Sequence, residues 1–376
     1  LLCLGADRLE DGRVSADDWQ VHGISFDTRS LQTGDLFVAL HGARDGHDFI
    51  RDAAERGARA ALVSRIPDET PASLPLLKVP DTVAGLSSLG AAARDRNFGQ
   101  LIAVTGSVGK TTTKEMLRSA LATAGTVHAA EKSFNNHLGV PTSLASLPDR
   151  SDYGVFEIGM NHSGEITPLT ALVRPHVAII TTVAPAHLGN FDSVDEIAAA
   201  KGEILSGVRP GGVAILNADN EYYDYLVSTA RSFGIERVIP FGSDEKSDSG
   251  VRLISYVGTG RDCTATVSVE GEEISFRLAS PGRHLAMNAL AVLAAAKAVG
   301  APLGQAISGL EQFRAGEGRG AQHQMPLENG SITILDEAYN ANPASMAAAF
   351  AVLGSMTPEM GGRRIAVLGE MKELGD

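Results

Sequence analysis

The segment LIAVTGSVGKTTTKEMLRSAL, residues 101–121, constrains this chain more than any other part of it. An apolar strand-like run leads into Thr105, Gly106, Ser107, Val108, Gly109, Lys110, Thr111 and Thr112, and an amphipathic helical pattern follows. A strand must therefore turn through a glycine-containing loop directly into a helix. That geometry aims backbone N–H groups and the positive end of the helix at one spot, which suits a phosphate. Lys110 is placed to reach the outer phosphates of a nucleotide, and the Thr111 hydroxyl to ligate Mg2+. The general pattern G-x-x-x-x-G-K-[ST] is not met, because Val104 stands at its first glycine and Gly106 takes over two residues later. The loop is a shortened variant. Its bland alternative, a glycine-rich turn with a solvated lysine, does not account for the strand, the helix and the threonine run together.

Around this loop the chain reads as α/β. LIAVTG, YGVFEIGM, HVAIITTV and GGVAILN are apolar on both faces, as expected of central strands in a helix-covered sheet. VRLISYVG, CTATVSV and ISFRLAS alternate and are split by Gly-containing turns, predicting an antiparallel extension. An Ala-rich helix is expected from about 284 to 299. Before residue 98, GISFDT, DLFVAL, AALVS and LLKV predict short strands of a smaller α/β domain, with a helix near 48–57. The linker at 316–320 precedes another strand, SITILDEA. These breaks predict domains at 1–98, 99–317 and 318–376, in line with 376 residues at about 100–200 per domain. The strand-like run 364–369 lacks the helix that an α/β unit would add next, so the last domain reads as unfinished.

Composition narrows the function classes. A net charge of −13 disfavours binding to a nucleic-acid backbone, while local basic loops can still hold a nucleotide. Two cysteines cannot build a disulfide framework or a four-thiolate zinc site, which fits a reducing compartment. No leader-like segment and no long apolar span is present, so the cytoplasm is the expected location, with no membrane partner.

Further candidates cluster where open α/β sheets bind their ligands, at the carboxyl ends of strands. Glu157 ends one strand and His187 follows the next; beside a phosphate loop both are candidate Mg2+ ligands. Asn135 and Asn136 precede the rigid stretch GVPT, as plain turn residues or as amides near a γ-phosphate. His284 and Asn288 share one helix face, as a satisfied polar pair or a ligand contact. Arg319 in the linker and Asp336 at the end of ITILD are candidates for γ-phosphate and ribose contacts. Spacing alone gives Lys201 no role beyond that of a solvated helical lysine.

Taken together, TGSVGKTTTKE, SFNNHLGVPTSL, FEIGMNHSGEI, TTVAPAHLGNF, AKGEI, PGRHLAMNALA, GRG and DEAYNANPASM occur in the order of the ATP-dependent Mur ligases, and the chain is identified as resembling that family along nearly its whole length. The shortened loop is the superfamily's own form. TTTKE and YNANP resemble the branch that joins D-alanyl-D-alanine to UDP-N-acetylmuramoyl-tripeptide. The resemblance implies an ADP-forming acid–amino-acid ligase using ATP and Mg2+, acting as a monomer. Its architecture has an N-terminal UDP-sugar domain, a central phosphate-loop ATPase-like sheet and a C-terminal Rossmann-like domain, of which only the beginning is expected here.

Carried over residue by residue, the resemblance gives Lys110 and Thr111 to the ATP phosphates and Mg2+, and Glu157 and His187 to the metal. Asn288 would contact adenine, Arg319 the γ-phosphate, and Asp336 the ribose or a hinge. Lys201 matches a lysine that is carbamoylated in the family. Asp27, Thr28, Arg29 and His47 fall in the region of the uridine and muramoyl-peptide site; the common Ser is Thr28 here, and the usual Asn after His284 is Leu285. Another Mur ligase, a folylpolyglutamate-type ligase, or a nucleotide-binding protein without turnover are the alternatives.

Overall fold

A computed structural model describes residues 7–9, 20–68, 70–130, 132–186, 188–328, 330–358 and 361–371. The chain folds into two compact units, Leu1–Phe98 with His137–Arg150, and Gly99–Asn136 with Ser151–Asp376.

In the first unit, the described residues form a five-stranded sheet in the order β1-β5-β4-β3-β2. Its strands are β1 (Asp7–Leu9), β2 (Ile24–Ser25), β3 (Leu36–Val38), β4 (Ala60–Val63) and β5 (Leu76–Lys78), parallel except for the β1–β5 pair. Alternate residues of β3 and β4 feed two cores. Phe37, Ala61 and Val63 pack with Ile50 and Ala53 of α1 (Ile50–Glu55), and Leu36, Val38, Ala60 and Leu62 pack with Leu86 of α2 (Thr82–Arg96). Helix α4 (Gly139–Ala145) adds Ala145 to the second core, which is why a segment beyond residue 98 belongs to this unit.

The second unit is built on a sheet of nine strands in the order β14-β13-β12-β11-β10-β9-β6-β8-β7. From β6 (Gln100–Thr105) the parallel partners are β8 (Tyr153–Glu157) on one side and β9 (Val177–Ile180) on the other. β7 (Val127–Ala129) continues beyond β8, and β10 (Val213–Asn217) and β11 (Arg237–Gly242) continue beyond β9, all parallel. The expected antiparallel extension is present as β12 (Val251–Gly258), β13 (Cys263–Val269) and β14 (Glu272–Leu278). Helices α3 (Lys110–Leu121) and α8 (Arg283–Ala298) bury Met116, Leu117 and the apolar face of α8 against Ile102, Val104, Ile179 and Ile215. Helices α5 (Ile166–Val173), α6 (Val194–Gly202), α7 (Tyr223–Ser232) and α9 (Leu303–Gln312) complete this part. A hairpin of β15 (Ala321–Leu327) and β16 (Gly330–Asp336) follows, with α10 (Pro343–Ser355) after it.

The strand-like run 364–369 is not a strand: no described strand pairs with it, and a strand exists only through its ladder. Among the described residues no helix is long and apolar enough to cross a membrane.

Candidate active site

Because the chain lays β7 and β8 on one side of β6 and then crosses to lay β9 on the other, the crevice at the carboxyl end of β6 is the natural ligand position of this sheet. The loop leaving β6 fills that place. Gly106 and Gly109 have φ of 148° and 86°, and an added Cβ would lie 2.0 Å from Thr181 Oγ1 at Gly106 and 2.9 Å from Asn288 Oδ1 at Gly109. Both glycines are thus required by backbone conformation and by close approach. Helix α3 starts at Lys110 without a side-chain cap, leaving first-turn N–H groups for a ligand. Thr105, fully buried, ends β6, and the Ser107 hydroxyl bonds Ala184 O at 2.8 Å. The Val108 carbonyl accepts from Thr181 Oγ1 at 2.5 Å. Thr112 follows Thr111 in the first turn of the helix.

Lys110 folds back so that Nζ donates to Gly106 O at 2.7 Å. Burial pushes its pKa below that of an ordinary lysine, with Glu157 opposing and Arg319 adding to the fall. Glu157, at the end of β8, is buried and receives three side-chain donors. Thr111 Oγ1 donates to one oxygen at 2.8 Å, and Ser133 Oγ and Asn135 Nδ2 to the other at 2.8 and 2.7 Å. Asn135 is therefore a holder of the acidic residue, while Asn136 is next in the chain. Spacing does not single out Ser133, although it stands two positions before Asn135 in the same loop.

Lys201 is 1% exposed in the last turn of α6, and its Nζ has no hydrogen-bond partner among the described residues. Burial lowers its pKa well below the ordinary value, the charge of Lys110 lowers it further, and Glu203 works against both. A solvated helical lysine is thus excluded. Asn288 lies under Gly109. His284, on the same helix face, is held neutral by burial, with its pKa pushed down to about 4.

Arg319 stacks on Tyr339 with its guanidinium carbon 3.8 Å from the ring centroid. Asp336 fixes the turn that carries it, accepting from Gly318 N at 2.7 Å and Ala338 N at 3.1 Å. Next to it, Glu337 is raised to about 7, by burial first and then by the charge of Asp336, with Arg319 opposing. His187 lies outside the described residues.

In the first unit, Asp27 binds the Arg29 guanidinium at 2.7–3.2 Å and caps its backbone N–H at 3.0 Å. Thr28 is buried and bonds Asp52, helping to lower that carboxyl's pKa. His47 is 1% exposed and both ring nitrogens are occupied, by Asp45 at 2.6 Å and by Ser64 N at 2.9 Å. It braces the 45–47 turn and offers no atom to a ligand, so direct substrate contact by its ring is not what the geometry supports.

The fold and this site define an α/β protein with a shortened phosphate loop, a carboxylate fixed beside it, and Lys201 and Arg319 within electrostatic reach of Lys110. The family model described as the Mur ligase middle domain matches residues 104–296, and that of the Mur ligase family catalytic domain matches residues 20–94. The UDP-N-acetylmuramoyl-tripeptide--D-alanyl-D-alanine ligase of Escherichia coli (strain K12) is 39% identical over 366 residues, 97% of this chain and 78% of that protein. The crystal structure of MurF from Acinetobacter baumannii superimposes with a TM-score of 0.86 at 33% identity, over 100% of this chain and 79% of that one. MurF of Thermotoga maritima in complex with ADP shares the fold, with a TM-score of 0.77 at 24% identity over 95% of this chain and 79% of that one. The chain belongs to the Mur ligase family.

Proposed function

We propose that this chain is an ATP-dependent, ADP-forming ligase that joins the amine of D-alanyl-D-alanine to the free carboxylate of UDP-N-acetylmuramoyl-tripeptide in peptidoglycan precursor synthesis. The observation that carries the reading is the Thr111–Glu157 pair set beside the phosphate loop, with Lys110 and Lys201 close enough to act on each other's charge.

A carboxylate is a poor electrophile, so the γ-phosphoryl group of ATP is first transferred to it, giving an acyl phosphate and ADP. The amine then attacks the acyl carbon, phosphate leaves, and the amine's extra proton is released as the amide forms. Lys110, freed from Gly106 O, turns to the transferred phosphoryl group, and Arg319 offsets the same charge from the linker. Residues 105–112 hold the phosphates, Asn288 meets the adenine, and Asp336 keeps the Arg319 turn in place near the ribose. The hydroxyl of Thr111 and the carboxylate of Glu157 are hard oxygen donors that fit Mg2+, with His187 as a further ligand position. When bound, that ion supplies charge neutralisation on the phosphates.

Lys201 is suited to carbamoylation. Its amine is buried, without a hydrogen-bond partner among the described residues, and biased to the neutral form, which adds to CO2 with loss of one proton; the product is an anion close to Lys110. Asp27, Thr28, Arg29 and Asn136, with the turn that His47 braces, belong to the UDP-sugar side. On this reading the protein acts in the cytoplasm, as a monomer. Phosphate release from ATP, assayed with the UDP-tripeptide and each of D-alanyl-D-alanine, meso-diaminopimelate, L-lysine and glutamate, tests the reading. Only the first acceptor is expected to stimulate it, and stimulation by another acceptor alone reassigns the branch.

A further inference from the structure

We infer that Asn217 and Asn220, at and just beyond the carboxyl end of β10, are positioning residues for the phosphate loop, acting through the 181–184 segment. The inference rests on reading residues 105–112 as the phosphate site.

The parallel ladders stop short of the place where the loop must be held. β9 pairs with β6 as far as Ile180 opposite Thr105, and with β10 as far as Ile180 opposite Leu216. Beyond the last β9–β10 pair, side chains take over. Asn217 Nδ2 donates to Thr181 O at 3.0 Å; Asn220 Nδ2 donates to Thr182 Oγ1 at 3.1 Å and to Val183 O at 2.7 Å. The orientation of both amides is set by their own turns, since Asn217 Oδ1 accepts from Asp219 N at 3.0 Å and Asn220 Oδ1 from Tyr222 N at 3.1 Å. Each NH2 group is thereby left facing the 181–183 backbone.

That segment in turn grips the phosphate loop at three points. Thr181 Oγ1 binds Val108 O at 2.5 Å, Thr182 O accepts from Ser107 N at 2.9 Å, and Ser107 Oγ exchanges bonds with Ala184 O and N at 2.8 and 3.0 Å. Drawing the Val108 carbonyl to Thr181 matters for an anion. The peptide is planar and trans, so the Gly109 N–H points the opposite way, and the carbonyl is kept from facing a phosphate oxygen. The two asparagines therefore set the loop's N–H directions without touching the nucleotide.

Asn217→Asp and Asn220→Asp isolate this role. Each keeps the oxygen that its turn needs and the volume, and replaces the donating NH2 with an oxygen facing a carbonyl or hydroxyl. ADP binding by the whole chain, measured calorimetrically well below the melting temperature, is expected to weaken about tenfold in each. Thr181→Val, which cuts the same relay one step on, should weaken it similarly. Combined with Asn220→Asp, its effect should be less than the sum of the two, because both act through one loop; independent effects add. ADP affinity within about twofold of the parent in both Asp variants, or full additivity with Thr181→Val, overturns the inference when Lys110→Ala binds ADP weakly. If Lys110→Ala binds ADP as the parent does, the phosphate-site reading itself falls, and this inference with it.

Discussion

Thr111 Oγ1 donates to Glu157 Oε2 at 2.8 Å, joining the first turn of α3 to the end of β8. Two residues far apart in sequence thus bring a hydroxyl and a carboxylate to one point beside the phosphate loop. Because the other carboxylate oxygen is saturated by Ser133 and Asn135, the oxygen on Thr111 is the one oriented toward the loop.

Glu157→Gln keeps the size of this side chain and removes its charge. The Mg2+ concentration giving half-maximal phosphate release is expected to rise by about tenfold or more, while ADP binding without Mg2+ changes by less than about twofold. A Mg2+ titration of the variant checks this, and an unchanged midpoint removes Glu157 from the metal.

Lys110→Ala removes the cation that folds over Gly106. Phosphate release should fall by about a thousandfold, with the protein still folded, since the side chain stabilises transferred charge and bridges no core elements. Near-parent turnover in a stopped phosphate assay would contradict the role given to the loop.

Gly109→Ala places a methyl 2.9 Å from Asn288 Oδ1 on a backbone with φ of 86°. A stability loss of about 1–3 kcal/mol is expected, together with weakened ADP binding. Denaturant melts and calorimetry on one preparation separate the two effects.

Lys201→Arg substitutes a permanent, uncarbamoylatable charge at a buried site, and Lys201→Ala leaves space for a small acid. Ligation should be lost in both, and short carboxylic acids should restore part of it to the Ala variant only. In the parent, 13C-bicarbonate should give a carbamate carbon resonance that is missing from both variants.

Acid should weaken the fold through two half-buried imidazoles. His176 and His284 are each pushed down to about 4, by burial first, with Arg209 adding at His176. The folded state binds these protons less tightly than the unfolded chain, so their contribution is complete above the ordinary 6.5 and is lost as pH falls through about 4. Melting temperatures should drop across that window, and less steeply in His284→Gln.

The strongly patterned parts are legible in the sequence. LIAVTG, YGVFEIGM, HVAIITTV and GGVAILN are β6, β8, β9 and β10, because a strand buried on both faces leaves an unbroken apolar run. Strand β11 is hidden because Pro240 interrupts its pattern, and β7 because three residues carry no period. Helix α2 is obscured by Gly85 and Gly90, which let it approach Val79 and the Pro141 carbonyl closely. In the site, the loop residues and Glu157 can be named from spacing. Ser133, Thr181, Asn217 and Asn220 cannot, because their roles depend on which side chains meet across neighbouring strand ends, and for Thr181 those strands, β9 and β6, are not consecutive in the chain. The burial of Lys201 is likewise a tertiary fact; its helix reads as ordinary in SVDEIAAAKGEIL.

Oxygen transfer tests the central claim most directly. With 18O in the terminal carboxylate of the UDP-tripeptide, turnover with ATP and D-alanyl-D-alanine should release phosphate carrying one 18O, because the carboxylate oxygen that accepts the phosphoryl group leaves with it. Phosphate free of label, formed at the rate of amide synthesis, would contradict activation through an acyl phosphate in this site.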